Sequence, residues 1–383
     1  MTCVVVTISP KSANLRNVMD ELPNTDSIEA VRLCADAYAL LEERQFTRAH
    51  ALLERARALA PDNPRIHYNL GLLFSDTGRT GDALAALDIS LRLNPDDAKA
   101  HNNRGSLLQI LGRLQEAGNA FQRALDLRPD LEVPYINLGK LLEQQDNAKR
   151  AVEIYDLAVA RGLDPELFAQ YRAAASGQST QRSPDRWVST TFDNFAPTFD
   201  AHLDVLQYRV PQRIAALLQP RALEPLAILD LGCGTGQVGA ALAGHGHRLI
   251  GVDLSTKMLA QARARNIYEQ LHVEEIHMWL RDSDAASFDA VCAADVFIYI
   301  GSLEPLFRDV ARILCSGGWF AFSTEECGNL DYKLLTTGRY AQSELYIRRL
   351  AGESFAVINA DPATIRIESG SPLQGRIYLL QKR

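Results

Sequence analysis

The sequence predicts two folds in one chain: an all-α superhelix of short repeats, then an α/β domain on a doubly wound parallel sheet. Three observations predict this. Pro61, Pro95 and Pro129 recur at a spacing of 34 residues. From about residue 226, apolar strand-like runs alternate with helical ones. The first of those runs ends in "ILDLGCGTGQVG" (228–239), an acid followed by three glycines at alternate positions.

Each proline follows an apolar helix tail: "ARALAP", "SLRLNP" and "ALDLRP". Aligning on them puts Gly71, Gly105 and Gly139 in one column and Ala49, Ala83, Ala117 and Ala151 in another. Leu53, Leu87, Phe121 and Tyr155 form a bulky column, and Ala56, Ser90, Ala124 and Ala158 a small one. Two short helices per repeat satisfy this pattern. Small residues let the helices approach, bulky ones fill the gap, and proline ends the second helix. The 34-residue period resembles the tetratricopeptide repeat (TPR). Four repeats over about 30–163 and a capping helix at 165–175 give an array at 28–175. The first repeat has Ala37 in the glycine column, and the fourth shifts its proline to Pro165.

Asn69, Asn103 and Asn137 recur on the first helix of a repeat. By the resemblance, that position lines a concave groove, where amides can pair with a peptide backbone. The alternative is that each binds its neighbouring repeat. The array by itself does no chemistry and serves as a partner-binding or assembly surface.

Bulk numbers exclude several classes. Residues 28–175 carry 18 Lys+Arg against 21 Asp+Glu, and residues 187–383 carry 18 against 22. Neither half has the basic excess of a nucleic-acid footprint, so no nucleic acid is expected. Cys3, Cys34, Cys233, Cys292, Cys315 and Cys327 form no CxxC pair or zinc spacing, so they read as reduced thiols and no metal is expected. The N-terminus lacks the basic region of a signal peptide, and no run is long enough to insert in a membrane, so a cytoplasmic location is the expectation. Residues 1–27 are polar and expected to be mobile.

Residues 176–186, "SGQSTQRSPDR", read as a linker. The second domain then occupies 187–383. Its opening segment carries Phe192, Phe195 and Phe199 at helical spacing, interrupted by Pro197, so two helical pieces precede the sheet. "LAILDLG", "RLIGVDLS", "FDAVCAADVF", "GGWFAFSTEE" and "QGRIYLLQKR" read as strands with helices between them. Ligands of such sheets bind beyond the carboxyl ends of the strands.

The glycine-rich turn selects the cofactor. A dinucleotide would bring pyrophosphate and a GxGxxG fingerprint. This turn is GxGxG, with Gln237 where the last glycine would fall. S-adenosylmethionine carries no phosphate and brings an ammonium and a sulfonium. Asp230 at the strand end suits those cations and would repel pyrophosphate. Asp253 ends the second strand 23 residues later, where an acid can accept both ribose hydroxyls. Ser255 is the expected N-cap of the next helix, and Met258 on its first turn can pack against adenine.

With "FDNFAPTFDAHL", "DLGCGTG", "FDAVCAADVFIYIG", "GGWFAFSTEE" and "GRYAQSELYIRRLA", residues 187–383 resemble a Rossmann-like, class I S-adenosylmethionine-dependent methyltransferase. The chain as a whole resembles the bacterial methyltransferases that carry N-terminal TPR repeats. The resemblance implies that Asp230, Gly232, Gly234 and Gly236 contact the methionyl end. It implies that Asp253 and Leu254 hold the ribose and that Glu274 or Glu275 lies by the adenine amino group. Asp295 would lie at the reactive edge, with Phe195 and Phe199 on a covering helix. The family's "GRYAxS" stretch usually has histidine where this chain has Gln342.

Methyl transfer needs a positioned nucleophile and a dry site, and a base only for a protonated acceptor. Asp295, Glu326 and Tyr340 are the foremost candidates, with Tyr299, Glu325, Tyr346 and His202 behind them. Arg339, Arg348 and Arg349 could clamp a carboxylate. The expected acceptor is an O, N or C nucleophile on a small molecule. A peptide in the TPR groove, a non-catalytic interaction protein and a nicotinamide oxidoreductase are the alternatives.

Overall fold

The computed structural model describes residues 25–221, 224–368 and 370–383. The expected mobile segment and Cys3 fall almost wholly outside them. One compact unit ends at Phe168 and the other runs from Ala169 to Arg383. No helix among the described residues is long and apolar enough to cross a membrane.

The first unit is a run of antiparallel helix pairs: α1 (Thr25–Glu42) with α2 (Phe46–Leu59), α3 (Pro64–Asp76) with α4 (Thr80–Leu93), α5 (Ala98–Ile110) with α6 (Leu114–Leu127), and α7 (Glu132–Gln144) with α8 (Ala148–Ala160). A further helix, α9 (Pro165–Ala175), follows, and the boundary between the units falls inside it. The columns seen in the sequence are its packing rules. A Cβ on Gly71 would lie 2.8 Å from Leu87 Cγ, one on Gly105 2.6 Å from Phe121, and one on Gly139 2.3 Å from Tyr155. Each glycine is therefore the socket for the bulky residue of its own pair. The alanine columns are fully buried, and Ser90 is tolerated among them because its hydroxyl donates to Pro64 O at 2.9 Å.

The expected amide ladder is corrected here. Asn69 and Asn137 are buried. Asn69 donates to Cys34 O at 3.2 Å and Asn137 to Asn102 Oδ1 at 3.0 Å, each one repeat away. Asn103 donates to the hydroxyl of Tyr68 at 3.1 Å. These amides register neighbouring repeats, since a buried amide must find partners inside the protein.

The second unit opens with α10 (Asp185–Phe195), α11 (Phe199–Val205) and α12 (Val210–Leu218). Then β1 (Ala227–Leu231), α13 (Gln237–Leu242), β2 (Arg248–Asp253), α14 (Thr256–Ala264), β3 (Gln270–Val273), α15 (Ile276–Asp282), β4 (Phe288–Ala293), α16 (Glu304–Ile313) and β5 (Leu314–Glu325) alternate. The chain finishes with β6 (Tyr332–Leu334), β7 (Tyr340–Gln342), α17 (Glu344–Ala351), β8 (Phe355–Glu368) and β9 (Ser371–Lys382). The main sheet has the order β3-β2-β1-β4-β5-β9-β8. The first five strands are parallel, as expected. The last two are antiparallel, and β8 is a strand that the sequence reading passed over. Its partly polar pattern hid it.

Both faces of the sheet are buried, so strand residues divide by parity. Leu229, Leu231, Val291, Phe320 and Phe322 pack into one core. Ile228, Cys292 and Ala321 pack into the other with Ile214 and Leu379. The strand order reverses between β1 and β4, which opens a crevice at their carboxyl ends.

The linker expectation is also corrected. Gln181 O accepts the amides of Gly301 at 2.8 Å and Ser302 at 3.0 Å, and the Ser183 amide donates to Tyr299 O at 2.9 Å. Ser179 Oγ accepts from the Leu334 amide at 2.9 Å. Gln170 donates to Ser183 Oγ at 2.8 Å. The segment 176–186 is anchored at these points, with Ser183 buried, while most of its other residues stay exposed.

Candidate functional site

The turn after β1 is built for close approach. Gly232, Gly234 and Gly236 have φ values of +61, +55 and +86°, a region that side chains rarely adopt. A Cβ on Gly232 would lie 2.6 Å from Val296, and one on Gly236 2.9 Å from Tyr268. A Cβ on Gly234 would meet nothing within 4 Å. Packing therefore explains two of the glycines, and the third presents bare backbone to open space.

Asp230 is the penultimate residue of β1, with its carboxyl group buried. Its Oδ2 accepts from the Tyr268 hydroxyl at 2.6 Å, and its Oδ1 has no partner. Burial is the main cause that lifts its pKa from 3.8 to about 7; the Tyr268 hydrogen bond opposes this and the Asp253 charge adds to it. A buried carboxylate oxygen without a donor is costly. A cation placed there would relieve that cost.

Asp253 ends β2. Its Oδ2 accepts from the Gly234 amide at 2.9 Å and its Oδ1 from the Ser255 amide at 2.8 Å. It thus couples the two strand-end turns. Burial raises its pKa, and these backbone bonds hold it down. Leu254 is half-buried beside it. Ser255 caps α14, accepting from the Met258 amide at 3.1 Å. Met258 is fully buried, so it offers no exposed face to an incoming ring.

The helices before the sheet are tied to this turn. Thr235 Oγ1 donates to Asp200 Oδ1 at 2.6 Å, and Gln237 Nε2 donates to the same oxygen at 3.0 Å. Arg265 pairs with Asp200 and donates to Thr235 O at 2.6 Å. Asp193 accepts from Ser255 Oγ at 2.6 Å and from the Lys257 amide at 3.2 Å. Phe199 packs edge-on against Phe192 at 5.9 Å, and Phe192 meets Tyr299 at 5.4 Å. Asp193, Asp200 and Tyr268 were missed because nothing in their local sequence marks them. Only the fold brings them to the turn.

Asp295 follows β4 in a left-handed conformation, φ +60°, which is uncommon outside glycine. Its amide donates to Ser323 Oγ at 2.9 Å. Its carboxylate pairs with Arg366 of β8, and its Oδ1 is buried without a partner. Arg366 also pairs with Glu325 and, at 2.9 Å, with Glu368. Arg339 lies 2.9 Å from Glu325 and 2.7 Å from Glu368. Two cations and three carboxylates therefore form one network behind the site. Burial raises the pKa of Glu325, with Arg366 and Arg339 opposing.

Several candidates prove to be structural. Glu326, expected near the chemistry, pairs with Arg376 at 3.2 Å at the surface, and Glu325 takes the inward place. A one-residue step along a strand reverses the face. Tyr340 is fully buried among Leu334, Ala173 and Ala174, with its hydroxyl on Thr180. Glu275, expected by adenine, caps α15 by accepting from the Met278 amide at 3.0 Å and pairs with Arg182 at 2.9 Å. Gln342 donates to Phe297 O at 2.9 Å and Ile300 O at 2.8 Å, latching the loop after β4. Tyr346 donates to Glu304, and His202 lies against Phe195. Arg348 pairs with Glu344 and Arg349 with Asp331, so neither is a poised clamp. No group of three metal-ligating side chains occurs among the described residues.

Comparison with known proteins finds a family for part of each unit. Residues 229–322 match the methyltransferase domain family, and residues 40–107 and 98–131 match the tetratricopeptide repeat. A malonyl-(acyl-carrier protein) O-methyltransferase of Geobacter sulfurreducens is 35% identical over 36% of this chain and 52% of its own. Methyltransferase-like protein 27 of Homo sapiens is 37% identical over 34% of this chain and 53% of its own. The chain spans about half the length of these curated relatives. A Burkholderia thailandensis 1,6-didemethyltoxoflavin-N1-methyltransferase structure, bound to S-adenosylhomocysteine, is 17% identical, with a TM-score of 0.42 over 54% of this chain and 92% of that one. The match over residues 229–322 thus marks a methyltransferase domain of the class I type in the second unit. The chain joins that domain to an N-terminal array of tetratricopeptide repeats.

Proposed function

We propose that the chain is an S-adenosylmethionine-dependent methyltransferase that methylates an O, N or C nucleophile of a small-molecule acceptor, with the repeat array recruiting a partner or the substrate. One observation carries the cofactor: the partnerless Oδ1 of buried Asp230 stands at the turn where Gly234 offers bare backbone. An ammonium satisfies the first and a close-lying methionyl chain suits the second.

In this reading Asp230 binds the ammonium, Gly232, Gly234 and Gly236 admit the methionyl portion, and Asp253 takes the ribose hydroxyls. S-adenosylmethionine, when bound, supplies the electrophilic methyl group. The protein's part is to bind, orient and exclude water. Phe192, Phe199 and Tyr299 wall off solvent. Asp295, fixed by Arg366 and the Ser323 hydroxyl, stands at the acceptor side as an orienting acceptor of hydrogen bonds. Arg366 occupies its Oδ2, which leaves Oδ1 as the oxygen open to an acceptor. A small acceptor is favoured over a peptide because Asn69 and Asn137 are used up between repeats.

The test is transfer of labelled methyl from S-adenosylmethionine into extract of cells lacking the protein, with Gly234→Arg as the control. Label in the small-molecule fraction supports the reading. Label in protein overturns the small acceptor, and absence of label above the control overturns the activity.

A further inference from the structure

Tyr268 lies between α14 and β3, outside the glycine-rich turn and outside every segment that pointed to a cofactor. Yet it touches four residues in and around the turn. Its hydroxyl donates to Asp230 Oδ2 at 2.6 Å and accepts from the Gly239 amide at 3.2 Å. A Cβ on Gly236 would lie 2.9 Å from its ring, one on Gly239 2.6 Å from its hydroxyl and one on Gly251 3.2 Å from its ring. Three glycines on three elements therefore leave room for a single tyrosine. That room places one phenolic hydroxyl on one oxygen of one buried carboxylate.

The consequence for Asp230 is directional. A carboxylate has two oxygens, and this one has a donor on Oδ2 and none on Oδ1. The other titratable groups facing it are Asp253, Cys233, Cys292 and Tyr208, none of them a cation. Tyr268 is thus the one side chain among them that favours the charged form by hydrogen bonding. The Gly239 amide, in the first turn of α13, donates to the phenolic oxygen and so strengthens the phenol as a donor.

We infer that Tyr268 is the positioning residue of the cofactor site: by donating to Oδ2 it fixes the rotamer of Asp230, so that Oδ1 receives the ammonium of the ligand's amino-acid end. The inference rests on the S-adenosylmethionine reading above. It makes Tyr268 specific for one end of the ligand. Loss of the hydroxyl weakens whatever binds through an ammonium and spares whatever binds through adenosine alone.

The experiment is titration calorimetry of the full chain and its Tyr268→Phe variant with two probes, S-adenosylhomocysteine and 5′-methylthioadenosine, from pH 6 to 9. The variant keeps the ring that fills the three glycine sockets. Binding of 5′-methylthioadenosine reports that the pocket is intact. A lost hydrogen bond to a charged group corresponds to about a tenfold weakening of S-adenosylhomocysteine at pH 7. 5′-Methylthioadenosine should change less than twofold. The pH midpoint above which S-adenosylhomocysteine binds tightly should also move upward in the variant, because the hydrogen bond that favoured the carboxylate is gone. Equal effects on the two probes, no effect on either, or an unmoved midpoint overturns the positioning role. Failure of the wild-type chain to bind S-adenosylhomocysteine overturns the cofactor reading itself.

Discussion

Replacing Asp230 with asparagine should stabilise the free protein at neutral and alkaline pH while it removes cofactor binding. The ordinary pKa of 3.8 rises to about 7 in the fold, chiefly through burial. That displacement corresponds to ~4 kcal/mol between the two protonation states. The folded-state value lies above the ordinary one. The stability contributed by the protonated group is therefore full below about pH 4 and is lost as pH rises through about 7. An asparagine carries no charge and still offers Tyr268 an acceptor. Relative to wild type, the variant should gain up to ~4 kcal/mol between pH 4 and pH 8, and about half of that if the free site relaxes or admits water. At about 2–4 °C per kcal/mol for a unit of this size, a gain of about 2–4 kcal/mol should raise Tm by roughly 4–16 °C relative to wild type over that range. The assay is calorimetric melting of both proteins at several pH values, with and without S-adenosylhomocysteine. Bound ligand should erase the wild-type loss at pH 8 and leave the variant unmoved. A Tm difference that stays flat with pH would refute the argument that Asp230 is an unpaired buried acid.

Two further outcomes follow from the same reasoning. Arg366→Met strands the carboxylates of Asp295 and Glu325 in the interior, and urea denaturation should show a loss of about 3–5 kcal/mol at pH 7; the loss should shrink as the pH is lowered, because burial raises the pKa of Glu325 and its neutral form needs no cation. Asn137→Ala leaves Asn102 Oδ1 buried and unpaired, so thermal melting should register a loss of about 1–3 kcal/mol while methyl transfer is unchanged; full stability with lost transfer would instead make this amide a ligand contact.

Much of this protein was legible in the sequence because it repeats or alternates. A 34-residue period forces glycine, alanine and bulky residues into columns, and those columns are the helix contacts: Gly71 to Leu87, Gly105 to Phe121, Gly139 to Tyr155. Four of the five parallel strands, β1, β2, β4 and β5, were legible as apolar runs; β3, short and half-exposed, was not among them, and the run that became β9 joins the sheet antiparallel. Asp230, the three glycines and Asp253 were legible because a strand end, a tight turn and a second strand end lie at fixed spacings in one αβ unit. The antiparallel β8 was not, since an outer strand with polar positions gives a weak pattern.

What only the tertiary structure decided is which polar side chains are already spoken for. Asn69 and Asn137 read as a groove ladder in one dimension, and packing turned them inward to neighbours one repeat away. The sequence placed Glu326 ahead of Glu325, and the register of β5 reverses that order by sending Glu325 into the interior and Glu326 to Arg376. Arg339 looked free until β8 brought Glu368 beside it. Tyr268 carried no local mark at all, because its role exists only where three elements converge on Asp230. Periodicity and turn chemistry act between near neighbours in the chain, so the sequence by itself determines them. Hydrogen bonds between distant polar groups are fixed by which elements become neighbours, and that is settled only when the whole core packs.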